Sequence, residues 1–421
     1  SRRFATWSTA ASAVLRRSEA GPAPTLRELS ALAEAALGPR EGTRLVQTLL
    51  SSASNLLGGA LSDDRLRGAL GHWAAHSQQS PGDPGTALGA IVMAGGHGQP
   101  AERPGGGSRA RVVALVTSLP PAGGELRVDA PADRVETAGG RAVAVHAGGD
   151  RIPPRRAVIS PIDARRLLLG LVDPHAVPAA LLDEVRRIHV GRRNVSELKI
   201  DAILAGPAPA TAASGFERSF MLSPNTLSDL ERSFSRIQLG ELPERPPLMI
   251  AFPSSLEEGW APPGRGTAWI STFVPWMPAA GPWDRAAMER AADHAWAVCE
   301  RALGTPLPIV ERRLTGPADW VERTGNPHAN PNHVEMSIDQ LLGARPSPSL
   351  SRYRTPIGGL YLTGAGTHPG GGVTGIPGRN AAREVMADLG IVSRPRGERL
   401  RAQAAMMRDA AKAAGRLGRA A

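Results

Sequence analysis

One stretch of the chain concentrates the residues that can do chemistry: Gly364-Ala365-Gly366-Thr367-His368-Pro369-Gly370-Gly371-Gly372-Val373-Thr374-Gly375-Ile376-Pro377-Gly378. It lies between the apolar Leu360-Tyr361-Leu362 and a helically spaced run from Gly378 to Leu389. Glycines let a ligand approach the backbone. A strand, loop and helix in succession turn unpaired amides and the positive end of a helix dipole toward an anionic or carbonyl-rich ligand. Gly370-x-Gly372-x-x-Gly375 spells the dinucleotide fingerprint. No acidic residue follows about 20 positions on and no second strand comes after it, so it does not open a Rossmann unit. A glycine-rich surface turn is the other reading of the same spacing.

Other candidates carry less. His368, inside the glycine loop, suits proton handling or substrate orientation, or bonding of the loop backbone. His72 and His76 have the i, i+4 spacing that can hold zinc, but no third ligand or acidic base stands near in sequence, and helix-surface or interface histidines are commoner. His333 and Glu335 form an acid/base pair or a brace. Trp260, Trp269, Trp276 and Trp283 line an apolar cavity or fill a core. Cys299 stands alone, which excludes a disulfide framework and a multi-thiolate zinc site; it reads as a small core residue in a reducing compartment. Asn194-Val-Ser196 spells a glycosylation sequon without a secretory signal. Gly-x-Ser-x-Gly does not occur.

The elements that position these residues belong to a chain of 421 residues, enough for about two or three domain-sized units. Its formal charge is +10, and only Lys199 and Lys412 are lysines. With 48 glycines and 38 prolines beside abundant alanine, the arginine bias is one of composition, and it argues little for nucleic-acid binding. The longest apolar runs fall far short of the ~18–20 residues that cross a bilayer. The first hundred residues read as helices: Thr25-x-x-Glu28 has capping-box spacing, Gly38-Pro39 stops that helix, and Arg44–Leu57 and Asp63–His76 continue in kind. Ser80–Gly107 reads as loop around one short apolar run. From Glu125 to Ser160 the pieces ELRV, DRVET, RAVAVHA, DRI and RAVIS, parted by glycine pairs, predict a β-meander. Helices follow at Asp163–Leu171 and Pro178–Ile188. Strands follow at Glu197–Leu204, Pro247–Phe252 and Thr267–Pro275, and then a helix runs from its Asp284 cap to Leu303. Arg394–Ala421 holds eight basic residues and two acids, +6 of the net charge, the pattern of a solvated helix or of a patch for an anionic membrane surface.

Several strings carry a resemblance. The glycine-rich stretch with Arg352-Tyr-Arg-Thr-Pro-Ile-Gly-Gly-Leu-Tyr-Leu before it, Pro104-Gly-Gly-Gly107, Ala157-Val-Ile-Ser-Pro-Ile-Asp163 and Asn332-His-Val-Glu-Met-Ser-Ile-Asp-Gln-Leu341 all have counterparts. Together they resemble the phytoene desaturase-like flavoproteins of the amine-oxidase superfamily. Within it the chain resembles the branch of the pyridine nucleotide-disulfide oxidoreductase domain-containing protein 2 more than the plant carotenoid enzymes. The resemblance implies a mixed α/β, two-domain, glutathione-reductase-like FAD-binding fold with a substrate domain of helices and antiparallel sheet. It implies that Gly364, Ala365 and Gly366 approach the ribityl-pyrophosphate part of FAD and that Val373, Thr374 and Gly375 border the ring, with Thr367, His368, Gly371, Gly372 and Pro377 completing the seat. Family members open with a strand and Gly-x-Gly-x-x-Gly for the ADP half of FAD. Ser1–Trp7 resembles family sequence well downstream of that element, so the fold is expected to be incomplete at its N-terminus. The implied division is a helical part of the substrate domain at 1–104, FAD-binding segments at 105–165 and 345–392, the rest of the substrate domain at 166–344, and a basic tail from 393 to 421. The implied function is oxidation of an apolar small molecule by hydride transfer to FAD. A redox-neutral flavin isomerase and a non-catalytic binding remnant are its rivals. The expected setting is cytoplasmic, with membrane contact through the tail and no nucleic-acid partner.

Overall fold

The computed structural model describes residues 2–19, 21, 23–95, 104–209, 220–223 and 225–392. The basic tail lies outside them.

Local chemistry sets the helices as the sequence suggests, with corrections. Thr25 Oγ1 accepts the Glu28 N–H at 3.2 Å while Glu28 Oε2 accepts the Thr25 N–H at 2.8 Å, opening α2 (Leu26–Leu37) after α1 (Arg2–Ser18). Gly38 ends α2 at φ +85, but Pro39 does more than stop it. It occupies the first turn of α3 (Pro39–Leu50), where its missing N–H costs nothing. Arg44–Leu57 is not one helix either: Ser52 caps a new one, α4 (Ala53–Ala60), by accepting the Asn55 N–H at 3.1 Å. Next come α5 (Asp64–Ala75) and, inside the stretch expected as loop, α6 (Ala87–Gly95).

Two compact units emerge from the described residues: those within 2–95, 132–192 and 330–392 form one, those within 104–131 and 193–329 the other. In the first unit, the N-terminal helices bury Trp7, Leu15, Leu29, Leu45 and Ile91 in a common core. The predicted meander is present as an antiparallel sheet of β1 (Ala132–Ala138), β2 (Arg141–Ala147) and β3 (Asp150–Ile152). The strand β4 (Val158–Ser160) pairs in parallel with β10 (Leu360–Leu362), with Val158 opposite Leu360 and Ser160 opposite Leu362. Asp163 accepts the Arg165 and Arg166 N–H groups to start α8 (Ala164–Arg166), which runs on through a π-helical turn. This turn, α9 (Ala179–Arg186), β1 and β10 share a second core around Leu168, Val185 and Leu362. The unit closes with α13 (Ile376–Asp388).

The second unit is a five-stranded antiparallel sheet in the order β6-β7-β8-β5-β9: Met221–Leu222, Leu248–Ala251, Gly266–Pro275, Val195–Leu204 and Ile309–Thr315. Leu198, Ile200, Ala202 and Leu204 of β5 alternate inward as read from the sequence. They pack with α11 (Arg285–Leu303) through Ala292, Ala295, Trp296 and Cys299. The opposite face meets α10 (Leu227–Gln238) at one end, where Phe234 lies 5.2 Å from Phe273. The helices α7 (Gly107–Thr117) and α12 (Pro317–Thr324) complete the unit. Glu125–Val128, expected as a strand, is paired with none among the described residues, and Leu126 and Val128 stand exposed.

Candidate functional site

The parallel pair β4–β10 starts the site. Thr363 N–H donates to Ser160 O at 2.8 Å, extending the ladder, and the chain then enters the glycine-rich loop. Three of the four strings singled out in the sequence converge here. A Cβ on Gly364 would stand 2.9 Å from Pro161 O, one on Gly366 3.3 Å from His333 Cβ, one on Gly370 3.1 Å from Met336, and one on Gly371 2.5 Å from Asn332 Oδ1. Close approach to the protein itself is therefore what these four glycines serve.

Beyond Gly371 the situation reverses. Gly372, Val373, Thr374 and Gly375 are exposed, Val373 to 79% with φ +55, and nothing lies within 4 Å of where Cβ atoms on Gly375 and Gly378 would stand. Gly375 is the N-cap of α13 without a side-chain cap, Pro377 is buried in its first turn, and Thr374 Oγ1 takes the Ile376 N–H at 3.2 Å. The sequence-predicted residues thus divide. Gly366, Thr367 and His368 are buried and Gly364, Ala365 and Gly371 half-buried, while 372–375 form an open turn at a helix N-terminus. His368 is fixed from outside the loop: Tyr353 Oη donates to its carbonyl at 2.7 Å.

Four residues that sequence reasoning missed hold this shape. Arg345 is wholly buried and donates to the carbonyls of Asn332, Val334, Glu335 and Gln340 and, at 2.8 Å, of Ala365. It thereby ties the Asn332–Leu341 segment to the loop. Burial pushes its pKa down to about 9. Asn380 of α13 donates to Tyr353 Oη at 3.0 Å and to the carbonyls of Glu19 and Gly21. Tyr353, itself buried, has its phenol raised to about 12 by that burial. Arg354 reaches Glu384 and, bidentately, Asp388, anchoring the far end of α13. Of these only the string Arg352–Leu362 had drawn notice, as a resemblance without roles.

The remaining candidates are accounted for. His333 and Glu335 are not bonded to each other; His333 abuts Gly366, and the Glu335 carboxylate is ion-paired with Arg192 at 3.6 Å while its backbone N–H donates to His189 O. Desolvation holds His333 below its ordinary pKa despite the nearby Asp163 charge. His72 is buried within the helical part, its pKa lowered to about 3 by desolvation, and His76 stacks on Trp73 at 4.6 Å. Cys299 is buried and raised to about 12, an inert thiol. Asn194 uses its amide on Ile237 O, Met277 O and Met277 N–H, which removes the sequon from use. Trp260 and Trp269 share a cavity, Trp276 lies against His328, and Trp283 Nε1 bonds Pro275 O beside the core. Among the described residues no cluster suits a metal ion and no helix is long and apolar enough to cross a membrane.

No family model matches the chain. It is 33% identical over 251 residues to the pyridine nucleotide-disulfide oxidoreductase domain-containing protein 2 of Rattus norvegicus, covering 58% of this chain and 43% of that protein. It is 26% identical over 277 residues to the lycopene-forming phytoene desaturase of Pantoea ananas, covering 65% and 54%. The chain is thus similar to pyridine nucleotide-disulfide oxidoreductase domain-containing protein 2 and, at lower identity, to a phytoene desaturase. It spans less than half the length of the first of these relatives. An oxidoreductase from Methanosarcina mazei shares the fold at a TM-score of 0.51 and 16% identity, over 80% of this chain and 68% of the other. The chain therefore has the mixed helix and antiparallel-sheet fold expected from its motifs, a fold shared with that oxidoreductase.

Proposed function

We propose that this chain acts as an FAD-dependent oxidoreductase that desaturates an apolar substrate by hydride transfer. The observation that carries this reading is the open turn 372–375 at the N-terminus of α13, on a loop whose first half is locked to the protein. The turn fits a planar, carbonyl-edged ligand: its Cβ-free positions leave room, and the Gly378 N–H in the first turn of α13 has no intrahelical acceptor.

When bound, FAD supplies the two-electron acceptor that takes a hydride from a substrate C–H while a neighbouring proton leaves. The amides of Val373, Thr374 and Gly375 would meet the ring's carbonyl edge, where the helix dipole favours the negative charge of the reduced state. Thr367 and His368, being buried, would serve by shaping the turn. Arg345 and Tyr353 would keep those donors in place before the ligand arrives, so little reorganisation is needed.

Visible absorbance of the purified chain and a fluorescence titration with FAD test the reading. Flavin is expected to be retained or taken up to saturation. Gly372→Val is expected to weaken it ~10-fold or more, because φ +106 at that position costs a β-branched residue ~1–3 kcal/mol. A chain that stays colourless through the titration sinks the reading.

A further inference from the structure

We propose that the open face of the second unit's sheet holds a binding site for an uncharged apolar small molecule with one polar end. A cavity of about 270 Å³ lies on this face, with Trp260, Trp269 and Ile203 on its apolar side and Asp201, Glu311 and Arg313 on its polar side. Register explains the grouping. Trp269 of β8 stands opposite Asp201 of β5, which stands opposite Arg313 of β9; Ile203 stands opposite Glu311. These residues alternate with the ones buried against α11, so they belong to the face that an antiparallel sheet ordinarily gives to polar side chains. A tryptophan and an isoleucine there leave apolar surface in water unless something covers it.

The aromatic side is built in advance. Phe220 meets Trp269 edge-on at 5.8 Å, and Gly107, where a Cβ would come within 2.5 Å of Trp260 Cη2, lets the start of α7 pack against the Trp260 ring. Pre-positioned rings lose little freedom on binding. The polar side decides the charge of the occupant. Asp201 is already paired with Lys199 Nζ at 2.9 Å, and Glu311 and Arg313, two residues apart on one face, have opposite signs. A charged ligand would give up its hydration for no net attraction, whereas a hydroxyl or carbonyl finds both donor and acceptor. The inference rests on the reading above only in taking this occupant to be the substrate.

Calorimetric titration of the full chain with 1-decanol, decanoate and decyltrimethylammonium, each below its micelle concentration, tests it. Decanol is expected to bind saturably, the two charged chains ~10-fold or more weaker. Trp269→Ala, with its fold checked by circular dichroism, is expected to weaken decanol ~10-fold or more. Should that variant unfold, the exposed substitution Arg313→Glu gives the second reading: an acidic rim must shift preference toward decyltrimethylammonium. Absent or unsaturable decanol binding, undiminished binding by folded Trp269→Ala, or an unmoved preference in Arg313→Glu overturns the proposal. No flavin enters the measurement. Decanol binding by a chain that holds no FAD would sink the oxidoreductase reading alone, and the converse would sink this site alone.

Discussion

Arg345 shows what a single residue does here. It is one of 47 arginines (49 Lys+Arg less two lysines), yet it is wholly out of water, and among the described residues its charge meets carbonyl oxygens and no carboxylate. Five carbonyls depend on it, so Arg345→Met should cost ~3–5 kcal/mol in chemical denaturation, with Arg345→Lys recovering part through its retained charge and three donors. A methionine variant as stable as the parent would refute this role. Local sequence could not single the residue out, because its acceptors lie at 332–340 and 365 and nothing in its own spacing marks burial. The glycines were legible by type but not by purpose: Gly371 is required by Asn332, a neighbour in space from another segment.

At the scale of elements, short-range chemistry was readable and long-range pairing was not. The box at Thr25 and Glu28 and the Asp284 cap, whose carboxylate takes the Ala287 N–H, came directly from spacing. The same box at Thr226 and Asp229 opens α10, and it escapes notice because the helix behind it, LSDLERSFSRIQ, is mostly polar. The strand β9 is hidden by its charged centre, Glu311-Arg312-Arg313, which only an edge position tolerates. Within α5, His72 gives a measurable consequence. Burial holds its folded pKa near 3, below the ordinary ~6.5, so the unfolded chain takes up the proton first. The stability this neutral imidazole confers is intact above pH ~6.5 and is lost as pH falls toward 3, at up to ~1.4 kcal/mol per unit. The denaturation midpoint of His72→Leu relative to the parent should therefore rise as the solution is acidified; a pH-independent difference would argue against it.

For the whole molecule, the segments alternate between two units, with crossings among the described residues at 131/132, 192/193 and 329/330, whereas the division implied by the resemblance has boundaries near 104, 165 and 344. Glycine and proline mark where a chain turns, not which tertiary layer it then joins. The stretch from α7 to Val128 exposes Val112, Leu115, Leu119, Leu126 and Val128, with Leu115 at 67% and Val128 at 71%, and α7 buries only Gly107. So much contiguous apolar surface should drive concentration-dependent association at micromolar to millimolar levels. Sedimentation velocity should show it, and Val112→Glu with Leu115→Glu should suppress it; a parent chain that sediments as a monomer throughout would contradict this. The near-absence of lysine has a practical side. Lys199, held against Asp201 beside the tryptophan-lined cavity, and Lys412 are the chain's two side-chain amines. An amine-reactive dye thus has few places to go, and energy transfer from Trp269 to a label on Lys199 would report directly whether that cavity is filled.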